Sequence, residues 1–117
     1  MNSEKIRDMA IAALEDIKGI NIVNIDVHAL TSVADFMIIC TGRSTTQVKA
    51  LAENLVKVAK ENKIKRVRME GNRSAEWILV DLGDVIVHIM LPQARTFFSL
   101  EDLWAPVKQL REIKRAD

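Results

Sequence analysis

The apolar positions fall into segments whose spacing changes along the chain. Ile6, Met9, Ala10, Ala13, Leu14 and Ile17 step by three and four, which predicts a one-faced helix from Ser3 to Lys18 with Gly19 suited to its C-terminal cap. Val23, Ile25 and Val27 alternate with Asn24 and Asp26, the period of a half-buried strand. After the polar interruption "HALTSVAD", Phe36 to Thr41 is nearly continuously apolar, as expected of a short central strand covered on both faces. The helical period returns at Val48, Leu51, Ala52, Leu55, Val56 and Ala59. "KRVRME" reads as a charged edge strand, "GNRSAE" as a loop, and "WILVDLGDVIVHIM" as a hairpin turning at Leu82-Gly83-Asp84. Pro92 opens a third helix carrying Phe97, Leu100, Leu103 and Trp104, and Pro106 ends it.

The predicted order is therefore α-β-β-α-β-β-β-α, an α+β chain with a mixed sheet of about five strands and flanking helices. Residues 1–105 form one domain in this reading, and 106–117 form a charged tail to which no role is given. A chain of 117 residues is long enough to bury roughly two thirds of its unfolded surface. The composition, 49% apolar and 28% charged, is that of a globular protein. The longest apolar runs are too short for a membrane span, and the N-terminus has neither a secretion signal's greasy core nor a transit peptide's lack of acids. The single Cys40 excludes an internal disulfide and fits a reducing cytoplasm. A net charge of +1 predicts no general attraction to nucleic acid, which leaves room only for a local basic patch.

The turn in "MIICTGRSTTQV" is the first candidate for chemistry, since a strand entering a helix through a glycine turn can hold a phosphate or present a nucleophile. A P-loop needs a longer glycine loop followed by Lys, and a nucleophile elbow needs a second glycine where Thr46 stands. Ser44 and Gln47 have the Ser-x-x-Gln spacing of a capping box, so the turn reads as a structural corner. Cys40, within an apolar strand, behaves as a small hydrophobe. His28 and His88 are far apart, and no Cys or His pair has zinc-ligand spacing, so neither a metal nor a cofactor is expected.

The hairpin is the most unusual stretch. Turn chemistry accounts for Asp81 and Asp84. It does not account for Trp77 and His88 on strands otherwise filled with Ile, Leu and Val. Strict alternation puts Ile86, His88 and Met90 on one face and Val85, Val87 and Ile89 on the other. Two readings follow: a docking surface on a helix-free face, or a core Trp beside a hydrogen-bonded core His.

Taken together, "ADFMIICTGRSTTQV", "GNRSAEWILVDLGDVIVHIM" and "LEDLW" resemble the ribosomal silencing factor family, also called the iojap family. The likeness runs from about Glu4 to Trp104, and the hairpin motif Trp-x-x-x-Asp-x-Gly-Asp-Val-x-Val-His is its most specific part. The resemblance implies a nucleotidyltransferase-like fold without enzymatic activity. It implies binding to large-subunit ribosomal protein fourteen on the intersubunit face, a block to small-subunit joining, and lower translation when nutrients fall. It further implies self-association into dimers, and it places the partner contact on Trp77, Asp81, Leu82, Asp84, His88 and Met90.

Two rival readings stand beside it. Nucleotidyl transfer needs Gly-Ser at a helix start and two carboxylates on adjacent same-face strand positions to share magnesium. Here Gly42-Arg43-Ser44 is one residue too long and no Asp-x-Asp exists. The other is a secondary contact with ribosomal RNA through Arg66, Arg68 and Arg73.

Overall fold

The computed structural model describes residues 2–71 and 73–98. Its elements are α1 (Ser3–Asp16), β1 (Ile20–Asp26), β2 (Phe36–Thr41), α2 (Thr45–Glu61), β3 (Arg68–Glu70), β4 (Trp77–Asp81), β5 (Val85–Met90) and α3 (Pro92–Phe98). This is the expected order. The part of the third helix assigned to Leu100, Leu103, Trp104 and Pro106 lies outside the described residues.

The five strands form one sheet in the order β1-β2-β5-β4-β3. Only β2 and β5 are parallel, Phe36 facing Val85 through to Thr41 facing Met90. The other pairs are antiparallel. The parallel pair is possible because α2 and the β3–β4 ribbon supply the long crossover that parallel strands need.

Helices α1 and α2 cover one face. Ile6, Ala10, Ala13 and Leu14 of α1 and Val48, Leu51, Ala52, Leu55 and Ala59 of α2 pack on Ile38, Cys40, Ile78, Val80, Val85, Val87 and Ile89. These are alternate strand residues, as a period of two requires. The opposite face has its own smaller core of Ile25, Val27, Met37, Ile39 and Met90, with Leu30, Trp77 and Ala94 packed against it. So β2 is buried at every residue, as expected, but its second cover is the polar-looking interruption after β1 together with α3.

Two details differ from expectation. Strand β3 forms only over Arg68–Glu70, the second half of the predicted "KRVRME". Helix α1 stops at Asp16, two residues early, and Lys18 rather than Gly19 takes the left-handed position with φ 64°. The Gly19 amide still closes the cap by donating to the Leu14 carbonyl at 2.9 Å. The absent side chain at Gly19 serves packing: a Cβ there would stand 2.5 Å from Cys40 Sγ and 3.2 Å from Leu51. Glycine is required by the close approach of chain to sheet.

Candidate functional site

Strands β4 and β5 put Trp77 opposite Met90, Leu79 opposite His88, and Asp81 opposite Ile86, all on the face that α1 and α2 leave uncovered. Trp77 and His88 are diagonal neighbours within reach of long side chains. Their ring centroids lie 5.6 Å apart at an interplanar angle of 51°, and Trp77 Nε1 donates to His88 Nδ1 at 2.9 Å. Indole N–H can only donate, so Nδ1 must accept and the imidazole proton sits on Nε2. Burial drives the same way, lowering the His88 pKa to about 4, so the ring is neutral near pH 7.

The alternatives read from the sequence divide the hairpin between them. His88 is 7% exposed and Met90 is fully enclosed, so both belong to the interior. Trp77 is half-buried, with one part of its ring in the second core and the rest at the surface. Leu79, Ile86 and Asp81 are half-buried beside it, and Asp84 is exposed. Leu82, at 2% exposure, packs into the helix-side core and offers no surface of its own. Leu79 was missed in the sequence reading, although counting by twos from Trp77 reaches it before Asp81.

The turn is fixed from inside. Gly83 adopts φ 91°, and its amide donates to Asp81 Oδ1 at 2.8 Å. Leu82 N–H donates to the Val85 carbonyl at 2.9 Å. The Asp84 carbonyl accepts from Asp35 and Phe36, tying the turn to the start of β2. The Asp84 side chain faces solvent, and that of Asp81 is half-buried. The result is a partly apolar patch with Trp77 at the open end of the hairpin, Leu79 and Ile86 along it, and two carboxylates at the turn end.

A family model described as "Ribosomal silencing factor during starvation" matches residues 1–117. The chain belongs to the ribosomal silencing factor family. It is 47% identical over 108 residues to the ribosomal silencing factor RsfS of Chromobacterium violaceum, covering 92% of this chain and 88% of that protein. A crystal structure of a Chromobacterium violaceum protein matches with a TM-score of 0.88 at 48% identity, over 90% of this chain and 88% of that one. The chain is also 33% identical over 100 residues to "Mitochondrial assembly of ribosomal large subunit protein 1" of Mus musculus, spanning 83% of this chain but 44% of that protein. The family is named for silencing ribosomes, not for a reaction.

In this member of the family Ser44 is the N-cap of α2. Ser44 Oγ accepts from Gln47 N–H at 3.1 Å, as an N-cap does. Gln47 reaches one residue further than a regular capping box, accepting from Arg43 N–H at 2.6 Å, while its amide nitrogen donates to the carbonyls of Ile17 and Lys18. That side chain joins the start of α2 to the end of α1. Cys40 is fully buried, and burial pushes its thiol up to about 11, far from a nucleophilic thiolate. Among the described residues no group of three His, Cys, Asp or Glu side chains is placed to hold a metal ion, and no helix is long and apolar enough to cross a membrane.

Proposed function

We propose that this protein binds the large ribosomal subunit through large-subunit ribosomal protein fourteen, blocks joining of the small subunit, and represses translation under nutrient limitation in the cytoplasm. The observation that carries the reading is the half-buried Trp77, locked by a buried neutral His88 on the sheet face that α1 and α2 leave open. An aromatic side chain held in one orientation loses little entropy on binding, which is what an interface anchor needs. Leu79 and Ile86 extend the apolar contact, and Asp81 and Asp84 meet basic residues of the partner. Leu82 and Met90 act from beneath, shaping the hairpin. Inhibition then needs no catalysis: two bodies cannot occupy the same volume on the intersubunit face.

The test is Asp84→Lys. The exposed side chain can be reversed in charge while the Asp84 carbonyl keeps its bonds to Asp35 and Phe36. The variant is expected to melt like wild type, to leave the large-subunit peak of a sucrose gradient, and to stop inhibiting a purified translation system. A folded variant that still blocks joining at wild-type concentration refutes the hairpin as the docking surface.

The name of the mouse relative supports a second reading, a part in large-subunit assembly. Accumulation of precursor large-subunit RNA in cells lacking the protein, reversed by wild type, is the result that reading requires.

A further inference from the structure

We infer that the β3 edge of the molecule is an RNA-binding rim that lies against the phosphate backbone of a ribosomal RNA helix while the hairpin face holds its protein partner. Residues 57–73 carry Lys57, Lys60, Lys63, Lys65, Arg66, Arg68 and Arg73 against only Glu61 and Glu70, a local +5. The whole chain is +1, so everything else sums to −4. The near-zero total hides one strongly basic stretch between two mildly acidic ones.

The structure makes the division spatial. Helix α2 lies over β4 and β5, and α1 over β2 and β1. The cations therefore run from the end of α2, through the 62–67 connection, along the edge strand β3 and into the following loop. On the other side, Glu4, Asp26 and Asp35 line one open cleft beside α1 and β1. All seven cationic side chains are exposed, and among the described residues none of them is in an ion pair.

Simpler explanations cover only part of this. Charges on β3 itself discourage edge-to-edge pairing, which accounts for Arg68. Lys60 suits the carbonyl end of α2. Neither explains Lys57, Lys65, Arg66 and Arg73, which lie off the strand and outside the last turn or on its far side. A row of exposed cations outside any ion pair among the described residues is what a phosphate backbone selects, through release of its counterions.

The rim is also continuous with the hairpin face. Arg68 is the cross-strand partner of Asp81, and Glu70 of Leu79, while Met69 between them packs toward the helix-side core. Arg68 thus stands on the same face as Trp77 and Leu79. A large subunit docked on that face brings its RNA against the rim. The inference rests on the large-subunit reading, and the experiment separates the two.

The experiment measures binding to purified large subunits and to a naked A-form RNA duplex across potassium chloride concentrations. It compares wild type, the triple variant Lys60→Gln/Lys65→Gln/Arg66→Gln, and Asp84→Lys. For large subunits, the triple variant is expected to bind about tenfold or more weakly near physiological salt, with the slope of log affinity against log salt smaller by about 2. For the duplex, wild type and Asp84→Lys are expected to bind alike at low salt, and the triple variant not to bind. Arg68→Gln/Arg73→Gln serves as a second variant should the first melt early. An unchanged salt slope and affinity in both variants overturns the rim and leaves the hairpin reading standing. Duplex binding that does not weaken as salt rises overturns the assignment to a phosphate backbone. Wild type that binds the duplex but not the subunit refutes the docking reading and upholds the rim.

Discussion

Replacing His88 with Asn removes a titrating group but keeps an acceptor for Trp77, because the amide oxygen of Asn can stand near the position of Nδ1. The structure gives the expected size of the effect. The folded imidazole titrates at about 4, and the same group in an unfolded chain at about 6.5. Between those values the unfolded state binds more protons than the native state, so native stability rises with pH. The contribution is complete above about pH 7, is lost as pH falls through 6.5 toward 4, and loses nothing more below that, where both states are protonated. The shift is worth about 3 kcal/mol in all, of which about 2 kcal/mol lies between pH 7.5 and pH 5. His88 is too well buried for solvent screening to erode this much. The assay is urea unfolding followed by circular dichroism for wild type and His88→Asn at a series of pH values. Subtracting the variant cancels the carboxylates common to both. The expected result is a wild-type advantage that shrinks by about 2 kcal/mol on going from pH 7.5 to pH 5. A constant difference would mean that His88 titrates alike in the folded and unfolded chain and that burial does not hold it neutral. A wild-type advantage that grows on acidification would reverse the argument, showing an imidazolium stabilised in the fold.

Trp77→Ala is expected to weaken large-subunit binding by about 2 kcal/mol or more, some thirtyfold in affinity. Because Trp77 also packs against the second core, its melting temperature must be followed too, and loss of stability with unchanged affinity would make it a core residue only. Ser44→Ala should cost about 1 kcal/mol in urea unfolding and leave binding unchanged, and a folded variant that cannot bind would overturn the corner assignment. Gly19→Ala should destabilise by about 1–3 kcal/mol, because its Cβ meets Cys40 Sγ. Adding Cys40→Ala should recover part of that loss, and strict additivity of the two changes would place the strain elsewhere.

The local elements were legible because each is written in its own spacing. The three-and-four step of α1 and α2, the continuous apolar run of β2 and the Leu82-Gly83-Asp84 turn all appear in the structure where the pattern put them. These choices depend on neighbours within a few residues, and the hydrophobic period reports them. The family was legible for a different reason: the hairpin motif is specific, and the match to the family model bears it out. What the spacing could not decide was anything that depends on a second segment. Gly19 looked like a helix cap until Cys40, on a strand distant in the chain, was found against it. Trp77 and His88 fitted a core or a surface equally well, because alternation assigns a face and says nothing of what covers it. In the fold, α3 and the 27–34 segment enclose Met90 and one part of Trp77 but leave Leu79 and Ile86 half open. The charge division was likewise hidden in a total of +1, although its basic half lies in one continuous stretch. Only the placement of β3 at the sheet edge gathers those cations along one rim, with Asp81 on the neighbouring strand and the acids of α1 over the opposite strands. Sequence patterning determines which faces are apolar; the tertiary structure decides which stay uncovered, because covering is a contact between segments far apart in the chain.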